Sequence, residues 1–279
     1  MLKQRVITGC LLAGSFLIAL FTLPTYGFIG LITVVLALGA WEWGGLASLV
    51  SATGRGIYML AVVAIAAGLG VYLDFKQDVL LTEKARFILL LACTWWAIAM
   101  LWVQSYPSSA ILWGRRWFCL LMGAFVLLPM WLAFACLISL PEGPLLVLLV
   151  VLLVVLADTG GYFMGRAVGK TKLAPKVSPG KTWEGLLGGQ LAIAVVVVGG
   201  GWFLHVETSR IALWLGLAMV TGLASVLGDL LESMIKRHRG VKDSGTLLPG
   251  HGGVLDRIDG LTAALPVFSL VFSLLYGRF

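Results

Sequence analysis

Apolar runs of membrane-crossing length follow one another along almost the whole chain. Read between Pro, Gly and charged interruptions, nine lie near residues 6–23, 28–50, 57–73, 86–103, 118–140, 144–164, 185–204, 210–230 and 259–277. A helix needs about 20 mostly apolar residues to cross a bilayer core. The run at 57–73 is short and that at 144–164 contains Asp158, so the count is nine, with eight and ten as alternatives. Composition agrees: 60% of residues are hydrophobic and 12% charged, against roughly 45–50% and about 25% in a soluble domain. So little charge excludes a soluble globule or a disordered chain. The expected fold class is all-α, a polytopic integral membrane protein with about nine transmembrane helices.

Twenty Lys and Arg against 13 Asp and Glu leave a net charge of +7. In a soluble protein such an excess would point to nucleic acid; here the first account is the positive-inside rule. With the N-terminus cytoplasmic and nine alternating spans, only Lys76, Lys84, Arg86, Arg210 and Arg278 fall outside. The first run follows Lys3 and Arg5 as in a signal peptide, but no A-x-A-like site follows it, so it is expected to be a retained helix. No nucleic-acid partner is expected.

Charge concentrates in two segments, 158–184 and 229–260. Together they hold Asp158, Glu184, Asp229, Glu232, Asp243, Asp256 and Asp259, seven of the 13 carboxylates, and half of the Lys and Arg. We therefore divide the chain into N-terminal scaffold helices, 1–140, and a C-terminal catalytic region, 141–279. Cys10, Cys93, Cys119 and Cys136 stand singly in apolar runs and read as buried small hydrophobes. Ser178-Pro179-Gly180-Lys181-Thr182 looks like the tail of a P-loop, but that pattern needs a preceding strand and Gly at 175, where this chain has Pro175, so it is not one. Gly161, Gly165 and Gly169 recur every four residues, as close helix packing requires. Glu42, between Trp41 and Trp43, reads equally as a buried functional carboxylate and as an interfacial one.

On a helix, Ser225, Asp229, Glu232 or Ser233, and Lys236 share one face. Lipid penalises such a face, which therefore meets protein or a wet cavity. The glycines around His251 (Gly250, Gly252, Gly253) suggest backbone amides open to an anion. Asp256 and Asp259, at i and i+3, form with Asp229 an oxygen-ligand set for a divalent cation, and Mg²⁺ pairs few carboxylates with substrate phosphates.

From Ser233 the chain reads S-M-I-K-R-H-R-G-V-K-D-S-G-T-L-L-P-G-H-G-G-V-L-D-R-I-D, ending at Asp259. This resembles the signature of the phosphatidate cytidylyltransferases, or CDP-diacylglycerol synthases. Ala157 to Tyr162, Lys176 to Gly185, Met1 to Arg5 and Trp41-Glu42-Trp43 are similar to further stretches of bacterial members. The resemblance implies transfer of the cytidylyl group of CTP to phosphatidate, giving CDP-diacylglycerol and pyrophosphate, with Mg²⁺ as cofactor. It also implies a possible second, monovalent cation, a homodimer and a place in the bacterial inner membrane with the active site facing the cytoplasm.

On that resemblance Asp229, Asp256 and Asp259 are expected to hold the metal. Lys242, Asp243, His251 and Arg257 are the expected catalytic set. Lys236, Arg237 and the Gly252 and Gly253 amides are expected to contact phosphates. Lys176, Ser178 and Lys181 are expected to face one cavity and bind CTP or the lipid head group. Asp158 and Glu232 come second. A transporter would more naturally show paired repeats with broken helices, and the spacing of a CDP-alcohol phosphotransferase is absent.

Overall fold

The structure, a computed structural model, describes residues 2–74, 80, 82–248, 250 and 252–276, with side chains from residue 7 onward. Its helices are α1 (Leu2–Thr22), α2 (Thr25–Leu46), α3 (Ala52–Leu73), α4 (Glu83–Gln104), a single turn α5 (Ala110–Trp113), α6 (Arg116–Ile138) and α7 (Gly143–Val168). A hairpin of β1 (Lys172–Ala174) and β2 (Ser178–Thr182) follows, then α8 (Trp183–Phe203), α9 (Thr208–Arg239) and α10 (Leu255–Leu275). Eight of these helices are long and apolar enough to cross a membrane, and Ile7–Thr22 adds a shorter apolar one. The chain is an all-α polytopic membrane protein, and each of the nine expected runs corresponds to one helix.

Two differences from the sequence reading lie at polar ends. Helix α9 continues to Arg239, beyond the apolar limit near 230. Lys236, Arg237, His238 and Arg239 fill its last turn, where cations complement the helix dipole. Gly240, at φ 73°, then closes it with its N–H on the Lys236 and Arg237 carbonyls. The antiparallel hairpin, with Lys172 opposite Thr182 and Ala174 opposite Ser178, was not expected in an all-α chain. Strands of three and five residues leave no hydrophobic period to read.

Helices α6 and α10 form the centre. Met130, Leu132, Ala133, Cys136 and Leu137 of α6 are fully buried, as are Leu255, Ala263, Leu265 and Phe268 of α10. Peripheral helices carry large exposed apolar side chains, among them Ile57 and Val71 on α3 and Leu187, Leu191 and Val195 on α8. A bilayer covers such a surface without cost. Polar groups inside must find partners where water is absent. Trp131 Nε1 donates to Thr33 Oγ1 (2.8 Å), Trp43 Nε1 to the Cys119 carbonyl (2.8 Å) and Tyr58 Oη to the Leu120 carbonyl (2.8 Å). Gly123 of α6 leaves the space that Trp43 and Tyr58 fill. All four cysteines are unpaired; Cys119 and Cys136 are buried as expected, whereas Cys93 is half-buried and Cys10 is exposed.

Helices α7 and α8 meet along a glycine seam. A Cβ on Gly160 would press on the Gly188 carbonyl and Ala192, and one on Gly189 on the Ala157 backbone. Gly161 and Gly165 face Gly185, so the four-residue glycine spacing does serve close helix approach.

The loops assigned to the cytoplasm gather at one end of the bundle. Ser244 reaches Glu42, the Arg237 Nε donates to the Val177 carbonyl (3.3 Å), and the His238 ring lies 4.9 Å from Trp113. At the other end Arg86 ties the start of α4 to the Ser273 carbonyl near the end of α10 (2.8 Å).

Candidate active site

The polar end of the bundle is built by local devices. Thr182 ends β2 and caps α8, its Oγ1 accepting from Gly185 N (3.1 Å). Glu184 accepts from the Lys170 and Thr171 amides (3.1 Å each) and so holds the turn between α7 and β1. Arg237 bonds the Val177 and Val241 carbonyls, joining hairpin, α9 and the loop after it.

Between α7, the hairpin, α8 and α9 lies a cavity of about 400 Å³. Asp158, Tyr162 and Arg166 line it from α7, Ser178, Gly180, Lys181 and Thr182 from β2, and Leu186 and Val226 from below. Lys181 Nζ sits 2.6 Å from Asp229 Oδ2, with both side chains about a quarter exposed. Ser233 Oγ donates to the other Asp229 oxygen (3.1 Å). Asp158 lies within the fields of Lys181 and Asp229, and Asp259 within those of Asp229, Asp158 and Lys236. Asp259 Oδ1 accepts from Gly260 N (2.7 Å), and its carbonyl packs against Gly228 of α9. Asp158 of α7, Asp229 of α9 and Asp259 of α10 are thus neighbours, with Lys181 paired to Asp229 beside the cavity.

A second cluster adjoins it and is closed. Lys236, 7% exposed, lies 2.7 Å from Asp256 Oδ1 and 3.1 Å from Glu232 Oε1. Asp256 Oδ2 accepts from Ser244 N (2.9 Å), Ser244 Oγ (2.9 Å) and Gly253 N (2.8 Å). Glu42, 3% exposed, reaches in from α2: Oε1 accepts from Val254 N (3.0 Å), Oε2 from Leu255 N (2.9 Å), and Ser244 Oγ lies 3.2 Å away.

The structure gives several expected residues protein partners. Asp256 has protein donors on both its oxygens, Lys236 on one and Ser244 and Gly253 on the other. Among the described residues no three acidic, His or Cys side chains form a ready metal cage. Lys236 is buried between two carboxylates, Glu232 and Asp256. The Gly253 amide is bonded to Asp256, so it is not open to an anion. Glycine is needed there because Ser244 and Glu42 fill the place of a Cβ. Gly252, at φ 83°, turns the chain so that Leu248 N can meet its carbonyl (2.9 Å). Lys176 does not share the cavity of Ser178 and Lys181. It stands at the hairpin turn and faces a separate crevice with Tyr106 and His238.

Lys242 and Asp243 are exposed on the loop after α9, and Arg257 is exposed on the first turn of α10. The Asp243 Cβ packs beside Gly252. His251 lies outside the described residues. Tyr162 and Arg166, bonded to each other at 3.1 Å, were missed, although their i,i+4 spacing next to Asp158 was legible. Glu42 was seen but left between two readings; burial and two backbone donors, Val254 N and Leu255 N, tie it to this cluster.

Known proteins align with the chain over nearly its whole length. The sequence model described as the cytidylyltransferase family matches residues 3–275. A phosphatidate cytidylyltransferase of Pseudomonas aeruginosa is 44% identical over 269 residues, 96% of each chain. One of Haemophilus influenzae is 40% identical over 290 aligned residues, covering 98% of this chain and 99% of its own. One of Staphylococcus aureus is 43% identical over 130 residues, about half of each chain. A match along all the helices that build the two clusters makes this chain a member of the cytidylyltransferase family.

Proposed function

We propose that this membrane protein is a phosphatidate cytidylyltransferase. A phosphate oxygen of phosphatidate attacks the α-phosphorus of CTP, the bond to the β-phosphate breaks, and CDP-diacylglycerol and pyrophosphate result. The observation that carries the reading is the Asp158–Lys181–Asp229–Asp259 group beside a cavity at the polar end of lipid-facing helices.

The nucleophile arrives with the lipid, so no side chain has to form a covalent intermediate. The protein has to bring two polyanions together and offset their repulsion, which is a matter of positioning and electrostatics. Lys181, Arg166 and Ser178 line one cavity and supply donors for phosphate oxygens. Arg257 and Lys242, exposed on the neighbouring loop and helix, supply more. The Lys181–Asp229 pair is partly open to water, so an incoming phosphate can take over the lysine at small cost.

The donor set also fits Mg²⁺, which takes oxygen ligands and leaves positions for water and phosphate. Asp158, Asp229, Glu232, Asp256 and Asp259 outnumber Lys181 and Lys236 in the two adjoining clusters. Asp229, Asp259 and Asp158 would hold the ion, which would supply charge neutralisation for departing pyrophosphate.

The same reading puts the polar end in the cytoplasm of a bacterial inner membrane, with the N-terminus inside. CTP then enters from water and phosphatidate from the bilayer. The homodimer and a monovalent cation belong to the proposal as well, to be tested by native mass spectrometry and by the K⁺ dependence of turnover.

Radiolabelled CTP offered to purified protein with phosphatidate tests the function. Label should enter the lipid fraction with Mg²⁺ and not after chelation. No incorporation, with substrate flux in liposomes instead, would make the protein a transporter.

A further inference from the structure

We propose that Glu42 is a positioning residue for cytidylyl transfer: from α2 it fixes the N-terminus of α10 and the loop that leads into it. The proposal rests on the function given above. Glu42 is 3% exposed on an otherwise apolar helix, a place where a carboxylate is costly unless well bonded. The first amides of α10 lack a local partner, because the residue at its cap position is Val254 and has no acceptor. Glu42 supplies both acceptors from 212 and 213 residues away, Oε1 to Val254 N and Oε2 to Leu255 N. A carboxylate there also meets the positive end of the helix dipole.

The next residues of α10 are Asp256, Arg257 and Asp259, so the clamp sets the angle at which they are presented. Glu42 also lies 3.2 Å from Ser244 Oγ, which reaches Asp256 as well. Gly245 and Gly253 lack the Cβ atoms that would collide with its carboxylate. Both ends of the 244–255 stretch are thereby referred to one side chain on α2.

Glu42→Gln keeps the shape but offers one acceptor, and its amide N–H₂ would face a backbone N–H. We expect kcat to fall about 10-fold in Glu42→Gln and about 100-fold in Glu42→Ala, since small misplacements at a reacting centre cost that much. KM for CTP and phosphatidate should move much less, because the loss lies in the transition state. Leu36→Ala, in the core of the same helix, serves as the structural control: it should lower the thermal midpoint at least as much and leave kcat within about twofold. Hydrogen exchange at the Val254 and Leu255 amides should quicken in Glu42→Gln and not in Leu36→Ala.

Wild-type kcat and unchanged exchange in Glu42→Gln would overturn the proposal. So would a loss of kcat in Leu36→Ala proportional to its loss of stability. Should Glu42→Ala fail to fold, the isosteric variant carries the test. An inactive wild type would remove the functional reading, while the exchange measurement would still decide whether Glu42 holds α10.

Discussion

Two lysine–carboxylate pairs stand at the same end of the bundle, and they differ in how tightly they are held. Lys236 and Asp256 have side chains 8% and 7% exposed, and every oxygen of Asp256 accepts a protein hydrogen bond. Lys181 and Asp229 are 24% and 25% exposed and open on a cavity. Removing one partner of a buried pair leaves an uncompensated charge, whereas a partly solvated pair can separate cheaply. The first pair is therefore suited to hold the α9–α10 corner rigid. The second is suited to exchange partners when a phosphate arrives. One region frames the site and the other receives the ligand.

That contrast can be broken by substitution. The largest effect is expected from Asp256→Ala, which leaves buried Lys236 with Glu232 alone and strands the Ser244 and Gly253 donors. It should cost about 3–5 kcal/mol of stability and abolish turnover. A variant as heat-stable as wild type in detergent would mean that the closed pair does not hold the corner. Lys181→Ala should behave oppositely, with a midpoint near wild type. Its CTP-dependent turnover should fall about 100-fold, equivalent to about 2.7 kcal/mol of barrier. Loss of stability without loss of turnover would reverse the two assignments.

The wall of the cavity offers a smaller test. Gly188→Ala places a Cβ against Met164 at the α7–α8 seam and should destabilise by about 1–3 kcal/mol. Gly199→Ala on the same helix meets nothing within 4 Å and should be neutral or stabilise by up to about 1 kcal/mol through helix propensity. Equal midpoints for the two would mean that the seam is not closely packed. A smaller loss than at Gly188 is expected from Thr182→Ala, which removes the α8 cap and should lower stability by about 1 kcal/mol in the same thermal assay.

Much of the fold was legible because a bilayer imposes a simple rule on sequence. Each long apolar run became a helix, and Gly161 and Gly165 carried their packing role in their spacing. The hairpin 172–182 escaped because it has no apolar period, whereas the polar face of α9 as far as Lys236 was read as helical from its spacing. At the site, Asp229, Asp259, Ser178 and Lys181 were recognisable as residues that belong together. Lys236, Asp256 and Gly253 were recognised too, as ligands of substrate or metal; that they also bond one another was not.

What the sequence determined by itself was the solvent, the helix count and the charged segments that carry the chemistry. Composition and run length suffice for that, since they report how each stretch partitions between lipid and water. Which charge meets which was decided only by tertiary structure. Glu42 acquires its partners across more than 200 residues, and Asp256 gains Lys236 on one side and the 244–253 loop on the other. Pairing energies depend on distance and burial, and a linear spacing encodes neither across helices brought together by packing.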